Sequence, residues 1–276
     1  VGEDDSVSGL VTYHVTSSDF GCKVHAMMTP AIRGSLRVAW TIATLLVVQT
    51  LICATAVAPI ITSALWLRDA IGPSRRWQVA IIAVGTAPAY AAFALGLLIV
   101  TPLALRLTGW RSPAAAEMVI TDLEWPLLRW VRFLAVIHVA RFFAGGLLRG
   151  TPLWTLHIRW CGATLGRRVF INSLAVSDYN LLNFGDDVVI GGDAHVSGHT
   201  VEAGVVKTGG VTLGHGVTIG LGAVVEPGAE IAAGCQIGAM SFVPKHARLL
   251  EPGIYVGVPV APLAQYHARA PGGERR

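Results

Sequence analysis

A chain of 276 residues is long enough for two domains, and its composition is split between them. Its net charge of +4 is modest, and no aromatic-basic groove pattern points to nucleic acid. Four cysteines, Cys22, Cys53, Cys161 and Cys235, lie far apart with no CxxC, which argues against both a zinc site and a disulfide framework.

Residues 1 to 32 open with Glu3, Asp4 and Asp5, and the alternation from Leu10 to Val15 is a strand pattern. The segment points to no chemistry. The chain starts at Val1 and shows no short apolar core followed by a small-residue cleavage site, so it reads as a piece of something longer or as a trimmed chain.

No charged residue occurs from Val38 to Leu67 or from Trp77 to Leu105. Each run exceeds the roughly 20 apolar residues that a membrane-spanning helix needs, and soluble helices of such length carry a polar face. The reading over 33–112 is therefore a transmembrane α-helical hairpin turned at Arg68 to Arg76, with both ends on one side. Pro59, Pro88 and Pro102 are tolerable where neighbours satisfy the freed carbonyls. Arginines at the outer ends and in the turn nearly balance, so the positive-inside rule barely separates the two orientations.

Within 113–150, the apolar stretch Leu127 to Leu148 is broken by Arg129, Arg132, His138 and Arg141. Charges at a bilayer centre are costly. The pattern predicts an amphipathic helix lying in the membrane interface, its arginines reaching the headgroups. Arg129 to Phe170 holds seven arginines and no acidic residue, a bias towards an anionic surface such as lipid headgroups or phosphate. Gly150-Thr151-Pro152 then breaks the helix.

From 151 to 264 the period becomes six. Leu213, Ile219, Val225, Ile231, Ile237 and Val243 form an unbroken series, with Val217, Ala223, Ala229, Cys235, Ser241 and Ala247 each four residues later. Such a period fits neither a helix face nor one strand, and it is the signature of a parallel β-solenoid. The aliphatic anchor fills a triangular prism, the small residue fits where the wall turns, and glycines at Gly214, Gly220 and Gly238 serve the corners. Earlier anchors stand at Leu165 and Ile171, then at Phe184, Ile190 and Val196. Eleven hexads give a little under four coils, capped by Pro252 to Pro259. The tail over 265–276 reads as disordered.

Two excursions interrupt the repeat, Ser177 to Leu182 and Val201 to Gly210. His199 stands at the lip of the second, with Glu202 close behind. A histidine there can act as a general base near neutral pH, and a neighbouring carboxylate can orient it. Spacing alone leaves His199 equally as an ordinary corner histidine. Asp178 and Asn180 lie in register with the same site one coil below, and Lys207 sits near the loop's end; these three are candidates for substrate binding. His195 and His215 fall at outward positions that suit surface roles better.

The hexads resemble the hexapeptide-repeat acyltransferase superfamily, whose fold is a left-handed parallel β-helix. Gly257-Val258-Pro259-Val260 is similar to the Gly-x-Pro-Ala cap of those enzymes. The resemblance implies that a loop histidine deprotonates a hydroxyl or amine, which then attacks an acyl thioester. Gly214-His215 is similar to gamma carbonic anhydrases, but Gly220 stands where those enzymes need a further histidine, so no metal is expected. The order of hairpin, basic helix, Gly150-Thr151-Pro152, Asp178-Tyr179-Asn180, Gly185-Asp186-Asp187 and His199-Thr200-Val201-Glu202 resembles more closely the membrane-bound carboxy-terminal region of poly-lysine synthetase-like nonribosomal peptide synthetases.

That resemblance implies a membrane-anchored acyl or aminoacyl transferase domain with His199 as base and Glu202 as its partner. The donor would be a thioester on coenzyme A or on a carrier-protein phosphopantetheine, with no bound cofactor. Membrane lipid, a carrier domain, and a homotrimer or tandem repeats are the implied partners. An intracellular donor implies a β-helix facing the cytoplasm. The family often has a more charged stretch where this chain has Ala203-Gly204-Val205-Val206; the alternative is a non-catalytic repeat that builds an interface for an active neighbour.

Overall fold

A computed structural model describes residues 30–71 and 75–265. The strand expected at Leu10 to Val15 and nearly all of the tail from 265 lie outside the described residues. The uncharged runs form two long helices, α1 (Pro30–Ile71) and α2 (Arg75–Thr108). They pack against each other through small residues: a Cβ at Gly96 would fall 3.3 Å from the Ala56 backbone, the close approach that small residues permit between apolar helices.

A strand comes next, β1 (Glu117–Val119), and then α3 (Trp125–Ala140), which starts with Pro126 in its first turn and continues through a π turn, Arg141–Gly145, to Leu148. The sequence reading placed a single interfacial helix over this region. The helix begins at Trp125, two residues before the apolar stretch, and Trp125–Leu148 is long and apolar enough to cross a membrane, as are Ile32–Ala70 and Arg75–Thr108. Arg132 does not reach outward. It is buried, donates to Thr41 Oγ1 of α1 at 3.0 Å and lies over the faces of Trp110 and Trp125, while its buried Nε has no hydrogen-bond partner.

The Gly-Thr-Pro breaker is also a helix start. Thr151 caps α4 (Pro152–Trp160) by accepting from the Trp154 backbone N–H. Trp154 and His157 of α4 are fully buried between α2 and the solenoid. His157 Nδ1 donates to the Leu98 carbonyl at 3.1 Å, and burial pushes its pKa down to about 4.

The hexads build a three-sided parallel β-helix. One wall holds β2 (Thr164–Leu165), β4 (Leu182–Phe184), β9 (Val211–Leu213), β12 (Glu230–Ile231) and β15 (Arg248–Leu249). The second holds β3 (Phe170–Ile171), β5 (Val189–Ile190), β10 (Thr218–Ile219), β13 (Gln236–Ile237) and β16 (Ile254–Val256), closed by antiparallel β17 (Ala261–Pro262). The third holds β6 (His195–Val196), β11 (Val224–Val225) and β14 (Phe242–Val243), with Val176 bridging to Val196. Anchors from Ile171 to Val243 are buried, as are the small residues from Val217 to Ser241.

Two details differ from the sequence reading. The period runs past Val243 to Leu249 and Tyr255, which pair in register with Ile231 and Ile237, so the prism has four coils and two sides of a fifth. Glycine after the anchor answers a steric need, not a dihedral one. A Cβ at Gly220 would fall 2.5 Å from the Ala239 nitrogen in the next coil, whereas the positive φ angles occur at Gly216, Gly222, Gly228 and Gly234.

Both excursions are ordered. After Val176 the chain enters Asp178 at φ 51° and makes a 3-10 turn, Tyr179–Leu181, with Tyr179 fully buried. The second excursion is a β-hairpin, β7 (His199–Glu202) and β8 (Val205–Thr208), joined at Ala203 and Gly204, both with positive φ. Strand β1 pairs antiparallel with β8, setting Met118 opposite Val206. Val206 is buried with Met118 and Leu127 against Trp130. β1 and α3 thus cover Val206 of β8, while the tip itself, Ala203 and Gly204, is exposed.

Candidate active site

The two excursions converge at one point, where α3 and the segment after α2 lie against the solenoid's third wall. His199 Nδ1 stands 2.5 Å from Asp178 Oδ2. Asp178 is fully buried and every lone pair direction is used: Oδ2 also accepts from Ser177 Oγ at 3.1 Å, and Oδ1 accepts from Ser112 Oγ at 2.6 Å and Trp130 Nε1 at 3.0 Å. Burial raises the Asp178 pKa, but the His199 ring and the hydroxyl and indole donors outweigh it and hold the carboxyl below its usual range.

An ionised Asp178 accepts only, so His199 carries its proton on Nδ1 and Nε2 keeps a lone pair. Ser197 braces the histidine: its hydroxyl donates to the His199 carbonyl at 2.8 Å and lies 3.2 Å from Nδ1. The Trp130 ring meets the imidazole edge-to-face at 5.0 Å. The His199 side chain is 23% exposed, enough for a reactant to reach the ring.

Asn180 bonds the chain that follows α2. Its Oδ1 accepts from the Ser112 backbone N–H at 3.1 Å and its Nδ2 donates to the Ser112 carbonyl at 2.8 Å, so it holds the strand that delivers Ser112 to Asp178. Glu202 does not meet His199. Three residues along an extended strand amount to about 10 Å, and Glu202 instead pairs with Lys245 and Lys207, the latter also 3.4 Å from Glu117. The carboxylate partner is Asp178, because a histidine at the start of the hairpin faces the coil below and not the tip.

His195 stays at the surface near the site. Burial is the largest of the causes that lower its pKa. His215 lies elsewhere, 3.5 Å from Asp187 and within the exposed Arg168–Asp187 pair. Ser112 and Trp130 carry no sequence signal, standing 66 and 48 residues from Asp178. Ser197 was findable, since it follows anchor Val196 as Ser177 follows Val176.

No protein-family model matches the chain, and no curated protein is similar to it in sequence. Among solved structures it is similar to a maltose O-acetyltransferase from Clostridium difficile 630, at 18% identity over 40% of this chain and 73% of that one, TM-score 0.31. A serine acetyltransferase from Neisseria gonorrhoeae aligns at 18% identity over 63% of this chain and 54% of that one, TM-score 0.36. A variant of an N-acyltransferase from Bacillus cereus, in complex with dTDP and coenzyme A, aligns at 21% over 36% and 81%, TM-score 0.26. Likeness at that level decides nothing about chemistry, and the β-helix rests on the strand register itself.

What the dyad offers is a carboxylate-oriented imidazole with one free nitrogen, the arrangement of a general base. A groove of 710 Å³ lies between α1 and α2, lined mainly by apolar groups such as Ile61, Leu65 and Ile82, and none of the site residues lines it.

Proposed function

We propose that the chain is a membrane-anchored acyl or aminoacyl transferase domain in which His199 is the general base and Asp178, not Glu202, orients it. The observation that carries this reading is the buried, four-fold satisfied Asp178 contacting His199 where both interruptions of the repeat meet. In the reaction, an acceptor amine or hydroxyl attacks a thioester carbonyl while Nε2 of His199 takes its proton. The new N–C or O–C bond forms, the C–S bond breaks, and the leaving thiolate receives that proton. The thioester donor is coenzyme A or a carrier-protein phosphopantetheine, in keeping with the resemblance to peptide synthetases. In the stretch where the sequence departs from that resemblance, Val206 is buried against Met118 and Leu127, which gives its apolar character a packing role.

Membrane anchoring is supported by aromatic placement. Trp40 and Trp66 of α1 are both exposed and 26 residues apart, about 39 Å along a helix, close to the thickness of a bilayer with its interfacial regions. Trp77 of α2 is exposed at the same end as Trp66, as expected of belts at the headgroup level. Ser112 follows four residues after the end of α2, so the site lies at the membrane surface on the side of both helix ends. Because thioester donors are made inside cells, we assign that surface to the cytoplasm.

The test is His199→Ala in the full chain, assayed for transfer from acetyl-coenzyme A and from aminoacyl thioesters. Loss of a general base lowers turnover about 10²–10⁴-fold. Unchanged turnover sinks the reading.

A further inference from the structure

The parallel register stacks the residues that follow the third-wall anchors. Val176 bridges to Val196, Val196 pairs with Val225 and Val225 with Val243. Ser177, Ser197, Glu226 and Pro244 therefore form a ladder rising about 4.8 Å per coil, and the Ser177 and Ser197 hydroxyls, 3.2 Å apart, show it directly. Glu226 is the rung above Ser197, the residue that touches His199 Nδ1.

Glu226 is half-buried and belongs to none of the ion pairs among the described residues. The nearby lysines are committed elsewhere, Lys245 and Lys207 both to Glu202. Burial raises the Glu226 pKa, and the His199 ring acts on it in the opposite direction. A carboxylate half removed from water with no cation beside it carries a desolvation cost that a positively charged ligand would relieve.

We infer that Glu226 is the acceptor-binding residue of this site and that the acceptor is a primary amine, bound as its ammonium ion. The inference rests on His199 being the base. Alkyl amines are almost fully protonated at neutral pH, so two protons must leave. Glu226 holds the ammonium and takes the first proton, passing it to water. The neutral amine attacks the thioester carbonyl, the N–C bond forms and the C–S bond breaks. His199 Nε2 takes the second proton and gives it to the departing thiolate, so the products are an amide, a thiol and one proton in solution. An alcohol acceptor has no charge for Glu226 to hold.

The experiment compares 1-pentylamine with 1-pentanol as acceptors, using the full chain in lipid vesicles with acetyl-coenzyme A and with an aminoacyl-N-acetylcysteamine thioester as donors. The expected result is preference for the amine. Glu226→Gln lowers the amine-to-alcohol ratio of kcat/KM by about tenfold or more, mainly through KM for the amine, and Glu226→Asp recovers part of it. An unchanged ratio in Glu226→Gln, or equal losses for both acceptors, overturns the inference and leaves the His199 reading standing if His199→Ala is inactive. Undiminished transfer by His199→Ala, or no transfer by the unaltered chain with either donor, overturns both.

Discussion

Replacing Asp178 by asparagine tests the tautomer assigned to His199. The substitution keeps shape and exchanges one carboxylate oxygen for an NH2 group. That group can face either side of the site. On the Oδ1 side it would meet the indole N–H of Trp130, 3.0 Å away, which can only donate. On the Oδ2 side it would meet His199 and the Ser177 hydroxyl, both able to become acceptors. The amide therefore turns its NH2 to His199, which accepts at Nδ1 and must carry its proton on Nε2. The nitrogen facing the reactant then has no lone pair. Transfer should fall about 10²–10⁴-fold, the whole contribution of a general base. Stability should change far less, since the lost charge-assisted bonds are offset by removal of a buried charge. Turnover with a thioester donor gives the rate, and 15N NMR of the imidazole reads the tautomer. Activity within about threefold of the unaltered chain, or a His199 still protonated on Nδ1, would refute the reasoning.

Two further outcomes follow from packing and burial. His157 has a folded pKa of about 4 against about 6.5 when unfolded, so the unfolded chain takes up the proton first. Its contribution is complete above about pH 6.5 and is lost as pH falls through about 4, a span worth roughly 3 kcal/mol. In His157→Gln the melting temperature should depend less steeply on pH across that window; an unchanged slope counts against the buried neutral ring. Val206→Asp places a carboxylate between Met118 and Leu127, at a cost of about 3 kcal/mol or more if the charge stays buried. The hairpin should part from β1 and α3, so hydrogen exchange should rise over 199–208 while the solenoid keeps its protection, and transfer should fall. Normal activity in that variant would mean that the packing of β8 against β1 and α3 is dispensable.

The solenoid was legible because its period is enforced at every coil: anchors such as Ile219 and Val225 and small residues such as Ala223 are fully buried, and any slip would expose an entire row. Its end was misjudged at Pro252 because Tyr255 fills an anchor position with a residue type that the aliphatic series does not contain. His199 and Asp178 stood out as members of interruptions, and strand register brings those interruptions together. Which carboxylate serves His199 was not legible. Glu202 is nearer in sequence, but an extended strand carries it away, whereas Asp178 approaches from the coil below through a left-handed backbone turn. Ser112 and Trp130 were invisible, since their roles depend on how α3 and the segment after α2 lie on the prism. Asn180 was placed at the site from register alone; its amide oxygen and nitrogen both bond the Ser112 backbone.

Composition divides the chain near Gly150, with long apolar helices before it and glycine-rich hexads after. The site does not respect that division. Oδ2 of Asp178 is served from the solenoid, by His199 and Ser177, and Oδ1 from the helical region, by Ser112 and Trp130. A carboxylate held by one oxygen could rotate and release the imidazole, and rotation here requires breaking bonds to both regions. On the proposed function, the helices therefore do more than tether the β-helix to a bilayer: they supply half of the donors that fix the base. Movement of α3 against the prism would act on His199 directly through Trp130, which both donates to Asp178 and lies edge-to-face with the imidazole. On that reading, the chemistry of the prism and the packing of the helical region are joined at a single buried carboxylate.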